Sequence, residues 1–537
     1  MPSEGWGAQG SMLITSLGHA GLRVDTADLR LLMDPWLATT GAFQGAWHQF
    51  PSNAHLATPE LLDCDWVTVS HEHLDHMDLS VLTRLPERTR VLVPQYPAKN
   101  FLRRLQDGGV RNVIEVGAWQ RFPLNTAGDW LTFIPEQSPM CHDAGVLVCA
   151  GGASLLHCND ARLSVAQGRR ATVEAGGRLD VMAVQMSGAS WHPICYEYPR
   201  EVAERLEGEK RVGKFKAVTR LLRGVAPQLA VPFAGPPCFL DPVIRHHNPT
   251  PERPGIFPDL EQAGAWLGDH LPSVPSSYWL PGDRYEVGPG RLERDPRWAG
   301  FSYADTEEYL ERYAAERKPD LEAVYAEHPE PGDDLGERFE EHFVRLGEMS
   351  PYFLERIAMT IRFEVEGSGG GRWDVQLGPD KARVDLHGGN DPVQYRFRVA
   401  SRWLDPVITG RVGWEDLLLS LRFSAWRSPD LYNDYLVGLL KHADEEALEA
   451  VVAYETSRDK DETVVVQDAE GRRYEVGRYC PHAGEDLTHG AVVQDGVLRC
   501  LGHNFDFDLA TGRCLNARCE PLPVRSTASA GSHEATG

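Results

Sequence analysis

Two short segments near the C-terminal end each set one cysteine beside one histidine, and this pairing constrains the chain more than any other feature. The stretch reads RYCPHAGEDLTHGAVVQDGVLRCLGHNFDFDLATGRC. It holds Cys480-x-His482, then seventeen residues, then Cys500-x-x-His503. Thiolate and imidazole are the side chains that bind zinc and iron. Gly484 and Gly502 let the backbone approach a bound group closely. GVLRC and FDFDL alternate as short strands do. A structural zinc site also uses two Cys and two His, but usually pairs C-x-x-C with a His pair separated by about three to five residues. Here each half mixes the two residue types.

A mixed set suits a [2Fe–2S] centre in which two thiolates hold one iron and two imidazoles the other. The CPH-x-G and C-x-G-H-x-F-D context resembles the Rieske family over residues 462–525. The resemblance implies Cys480 and Cys500 on one iron, with His482 and His503 on the other. Leu501-Gly502 departs from the Pro-Trp of many relatives, and Cys514 and Cys519 are read as bystanders. Such a cluster passes one electron at a time and offers no place for a substrate.

A second ligand-rich segment, VTVSHEHLDHMD, presents His71, His73, Asp75 and His76 after an apolar run. Four ligand-type side chains in six positions are hard to explain by packing. H-x-H-x-D-H resembles the signature of the metallo-β-lactamase fold, and SLGHAGLRVDTADLRLLMDPWL is similar to its opening strands. The resemblance implies two further ligands. His142 stands before GVLVCA, with Asp143 beside it as the alternative, and Asp160 ends GGASLLHCND, where it could equally cap a helix. The fold's last histidine is replaced by Phe233-Ala234 in QLAVPFAG. His246 and His247 follow, either as substitutes or as a surface loop. One metal position therefore reads as complete and the other as open, a pattern that also suits non-haem Fe(II) and O2.

The remaining sequence is read as multidomain α+β. Residues 10–292 form a metallo-β-lactamase-like αββα sandwich, 300–455 an α+β middle domain, 460–526 an all-β Rieske domain and 527–537 a disordered tail. Ile361, Phe363 and Val365 alternate, GSGGG turns, and Trp373, Val375 and Leu377 answer. Helices are expected around 413–448, the charged run 442–450 as a solvated face, and no catalytic cluster in the middle domain. The net charge of −24 argues against nucleic acid or an anionic membrane as partner. No window reaches the ~18 apolar residues of a membrane span, and the first ten residues lack a secretory pattern, so a cytoplasmic protein is expected.

Together the segments SHEHLDH, LLHCND, SGASWHPICYEYP, VPFAGPPCF and FSAWRSPDLYNDYL resemble the oxygenases that join a lactamase fold to a Rieske domain. Members act on CMP-N-acetylneuraminate or UDP-N-acetylmuramate and turn N-acetyl into N-glycolyl. A C-terminal Rieske domain favours the second substrate. The resemblance implies a catalytic centre of one or two Fe(II) ions held by His71, His73, Asp75, His76, His142 and Asp160. It also implies use of O2, and NAD(P)H through a ferredoxin or reductase partner, because no dinucleotide fingerprint is present. Trp191 and His192 are candidate walls of a nucleotide-sugar pocket, and a homo-oligomer stays open. The alternatives are the same chemistry on CMP-N-acetylneuraminate or a natural-product intermediate, and a dizinc hydrolase with a regulatory cluster.

Overall fold

The computed structural model describes residues 12–136, 142–188, 190–389, 391–457, 462–482, 484–488, 490–502 and 504–525. His503 and the expected tail 527–537 lie outside these residues.

The strand Trp66–Thr68 (β1) is buried throughout and runs parallel between Arg30–Met33 and Arg90–Pro94. A strand covered on both faces is apolar without alternation. The histidine segment follows it directly, at the carboxyl end of the parallel strands, where loops gather ligands. The second sheet contains Ala144–Ala150 and Ala153–His157 (β2), then Val181–Gln185 (β3) and Leu229–Phe233 (β4) in parallel. Along Ala144–Ala150, Val146 and Val148 share a core with the first sheet. Leu147 points the other way, into a core with Phe215 and Leu222 of the helix Arg200–Val225 (α1). That two-residue period makes the sandwich of two sheets with helices outside.

In the middle region, Met359–Glu366 and Gly371–Leu377 form the expected hairpin, with Phe363 opposite Trp373 and Ile361 opposite Val375. Tyr395–Ala400 and Phe423–Arg427 extend the same sheet. The helical reading of 413–448 needs correction. The helix Trp414–Leu419 (α2) stops, Leu421 takes a left-handed φ of 58°, and Phe423–Arg427 is a strand. Phe423 and Ala425 are buried while Ser424 and Trp426 are less so, a two-residue period. The helix Asp434–His442 (α3) comes after it.

The middle region shares a core with the N-terminal one. Trp36, Phe43, Trp47, Phe239 and Phe257 belong to one apolar cluster with Phe339, Phe363, Trp414, Leu421 and Leu436. Trp47 is 2% exposed, and its Nε1 donates to the Leu419 carbonyl at 2.7 Å. Arg422 pairs with Asp241 in the same buried seam. The run 442–450 is solvated on one side only: Glu445 and Glu449 are exposed, while Ala447 and Leu448 are buried. His442 is buried, and Asp444 and Glu446 both pair with Arg103. Trp47→Ala is expected to cost about 3–5 kcal/mol, as large buried aromatics do, read as a lower midpoint in denaturant unfolding.

The C-terminal strands form two small sheets around Val476, Leu498 and Phe507. Tyr432–Asn433, just before α3, pairs in parallel with Ala517–Arg518 and ties this region to the middle one. Among the described residues, no helix is long and apolar enough to cross a membrane.

Candidate metal centres

Carboxylates pin the loop after β1 at both ends. Asp34 accepts from the Ser70 amide at 2.8 Å and from its hydroxyl, and pairs with His76 Nδ1 at 2.8 Å. Asp78 accepts from the Leu37 and Ala38 amides at 2.9 and 2.8 Å and caps the helix Leu79–Leu82. His19 and Asp34 take left-handed φ values of 49° and 43°. Such strain persists where the surroundings impose it, often at functional sites. With Nδ1 of His76 committed to Asp34, its Nε2 is aimed inward.

Two groups of ligand atoms result. His71 Nε2 lies 2.9 Å from His73 Nδ1 and 3.7 Å from Asp143 Oδ1. His76 Nε2 lies 3.3 Å from Asp160 Oδ1 and 3.8 Å from Asp75 Oδ2, which meets His19 Nε2 at 2.9 Å. Within each of the sets His71–His73–Asp143, Asp34–His71–His76 and His19–Asp75–His76, the ligand atoms fall within 4.8 Å of one another. His76 Nε2, Asp75 Oδ1 and Asp160 Oδ1 are buried without a hydrogen-bond partner. Buried polar atoms almost always have one, and a cation would satisfy imidazole and carboxylate together. These residues fit a metal with nitrogen and oxygen ligands.

His142 does not join them. Its ring stacks on Tyr96 with centroids 4.8 Å apart, and its Nδ1 faces Glu72 at 3.8 Å. Asp143 faces the cluster instead. Successive side chains of an extended segment point to opposite sides, so only one of the two can face inward. His246 and His247 also stay apart. Their rings lie 4.0 Å from each other, His247 packs edge-on to Phe239, and no ligand group among the described residues includes them. Trp191 packs on the shared core. His192 Nε2 meets Tyr198 Oη at 3.1 Å and Arg427 at 3.3 Å, and burial with the charges of Lys210 and Arg427 lowers it to about 2.

The middle region, expected to carry no catalytic cluster, supplies a wall of the site. Glu415, in the first turn of α2, comes within 3.2 Å of His73 Nε2. Lys441, near the end of α3, holds the other Glu415 oxygen at 2.9 Å. Burial opposes charge on Glu415, but Lys441 and His73 outweigh it and keep the carboxyl well below its ordinary range. Burial likewise works against a charged His73, yet Glu415 and Asp143 raise it to about 9. Nothing in the sequence near Glu415 marks it, because packing alone brings it to His73.

The C-terminal cysteines sit on two copies of one turn. The Cys480 amide donates to the Glu485 carbonyl at 2.9 Å, and the Gly484 amide returns to the Cys480 carbonyl at 2.9 Å. The Cys500 amide donates to Phe505 at 2.8 Å, and the Asn504 amide returns to Cys500 at 2.7 Å. Gly484 and Asn504 occupy the matching left-handed position, at φ 74° and 58°. Glycine and asparagine take that conformation at least cost. Both cysteines are fully buried and neither is in a disulfide. His482 Nε2 faces Asp434 Oδ1 at 3.3 Å. Buried thiols and an oriented imidazole on twin turns fit a cluster of the mixed Cys/His type.

The model of the Rieske [2Fe-2S] domain family matches residues 440–526, and that of the Beta-lactamase superfamily domain matches 13–190. The chain carries both domains. A Mycolicibacterium smegmatis protein named for a Rieske 2Fe-2S centre is 28% identical to it over 540 residues, covering 95% of this chain and 100% of its own. The cytidine monophosphate-N-acetylneuraminic acid hydroxylase of Cricetulus griseus is 28% identical over 247 residues, 42% of this chain and 40% of its own. The two are thus related through less than half of each chain. Among solved structures, the diiron β-hydroxylase CmlA of Streptomyces venezuelae is 17% identical, with 54% of this chain and 55% of its own covered at a TM-score of 0.37.

Proposed function

We propose that the chain is a Rieske-type non-haem iron monooxygenase that converts the N-acetyl group of a nucleotide sugar into N-glycolyl, with UDP-N-acetylmuramic acid as substrate. The observation that carries this reading is α3. Its first residue, Asp434, faces the Rieske ligand His482, and Lys441 near its other end grips Glu415 beside His73. Seven residues of helix span about 10 Å, so one short element of one chain touches both centres. A cluster that only transfers electrons thereby gains a receiver. When bound, the cluster and the iron would supply electron transfer and oxygen activation.

In this reading His71, His73 and Asp143 hold one iron position, and Asp75, His76 and Asp160 frame a second. Glu415 closes the side nearest His73, and Lys441 keeps that carboxylate charged and aimed. Electrons come from NAD(P)H through a separate ferredoxin or reductase. The relative from Cricetulus griseus, named as a hydroxylase of cytidine monophosphate-N-acetylneuraminic acid, supports hydroxylation of a nucleotide sugar, while Asp143, the alternative to His142, is the one that faces His71.

Mass spectrometry of reduced protein incubated with O2 and UDP-N-acetylmuramic acid should show a product heavier by one oxygen atom. A gain on CMP-N-acetylneuraminic acid alone would transfer the assignment to that substrate. Two zinc ions in anaerobically purified protein, with hydrolysis that needs no reductant, would sink the oxygenase reading.

A further inference from the structure

Lys210 and Lys214 lie one turn apart on α1, so their side chains share one face. Lys210 Nζ donates to the Ser190 hydroxyl and, at 2.7 Å, to the His192 carbonyl. Lys214 Nζ donates to the Gln185 side-chain carbonyl. All three acceptors are neutral. In a chain with 78 acidic and 54 basic residues, most cations can find a carboxylate, and like charges at this spacing repel. Burial, with the charges of Arg162 and Lys214, lowers Lys210 to about 7. Burial and Arg162 lower Lys214 to about 8, against the pull of Asp160, Glu136 and Asp143. Two ammonium groups this buried are costly to keep charged, and the carboxylates near Lys214 offset only part of that cost.

Its place in the fold matters as much. Gln185 is the last residue of β3, on the sheet edge from which Asp160 reaches the metal centre. His192, which Lys210 holds, belongs to the turn already singled out as a pocket wall. Gly213, between the two lysines, faces Asn504, and a Cβ there would lie 2.9 Å from the Asn504 amide nitrogen. The lysine face therefore lies between the metal centre, the Trp191–His192 turn and the Cys500 turn of the Rieske domain.

We propose that Lys210 and Lys214 anchor an oxyanion of the substrate, phosphate or carboxylate, beside the metal centre. This rests on the oxygenase reading only for what the anion belongs to. The lysine pair supplies charge and hydrogen bonds that a flexible, compact ammonium provides without demanding a fixed plane. It also answers how an acidic protein receives an acidic ligand: the counter-charge is local and buried.

The test is calorimetric titration of the full-length oxidised holoprotein, which cannot turn over, with UDP as the phosphate probe and N-acetylmuramic acid as the carboxylate probe. Lys210→Met and Lys214→Met should each weaken binding of one probe by about tenfold or more, the scale of a hydrogen bond to a charged group. Lys214→Arg should retain most of it, and iron content and Rieske EPR should stay at wild-type levels. The probe that loses affinity identifies the anion. Wild-type affinity in both Met variants overturns the proposal. So does loss of iron at unchanged affinity, which would make the lysines mere counter-charges to Asp160 and its neighbours. Tight, lysine-dependent binding without hydroxylation would leave this site standing and remove the oxygenase. Hydroxylation at unchanged KM in both Met variants would do the reverse.

Discussion

Cys500→Ser is expected to erase the Rieske EPR signal and, with it, every reductant-driven activity. The cluster needs both thiolates on one iron, and Cys500 is fully buried at the start of one of the two matching turns. A serine hydroxyl is a poor substitute for a soft thiolate. The lactamase-fold centre should be spared, because its ligands come from other elements. Metal content outside the cluster would therefore persist while turnover falls below detection. A variant that keeps the EPR signal would show that Cys500 is not a ligand.

His71→Ala should give the mirror image: an intact Rieske signal with hydroxylation reduced by about 100-fold or more, since residues that merely orient ligands already cost about 10–100-fold. Asp143→Ala should match it, because its carboxylate lies 3.7 Å from His71 Nε2. His142→Ala should keep its iron, since that imidazole stacks on Tyr96. Iron analysis, EPR and product mass together separate the three variants. Equal iron loss in His142→Ala and Asp143→Ala would contradict the arrangement of ligands described above.

Local chemistry was legible in the chain, and distant chemistry was not. The Cys/His halves and the His71–His76 segment are each short, so spacing makes their ligand-type side chains stand out, and the structure brings His71, His73 and His76 into ligand groups with carboxylates. The hairpin at Phe363 and Trp373 was readable for the same reason, from a two-residue period on each side of a glycine turn. His142 and Asp143 were not separable, because adjacent residues entering a strand differ only in which side they face. Glu415 and Lys441 were invisible. They sit on separate short helices, and Glu415 reaches His73, with Lys441 behind it, only because Trp47 and Trp414 lock the two regions into one core. The charged run at 442–450 gave its exposed glutamates, whereas the pairing of Asp444 and Glu446 with Arg103, distant in sequence, left no local mark.

The shared core has a consequence for the order in which this molecule can be built. A ribosome releases His71 and Asp160 long before Glu415 and Lys441, so the wall nearest His73 is the last part of the site to be supplied. Only when α2 and α3 fold back does the centre gain its last carboxylate, and α3 simultaneously presents Asp434 to the cluster domain still to come. A chain stopped before α2 would therefore lack both the carboxylate that faces His73 and Asp434, the residue that faces His482.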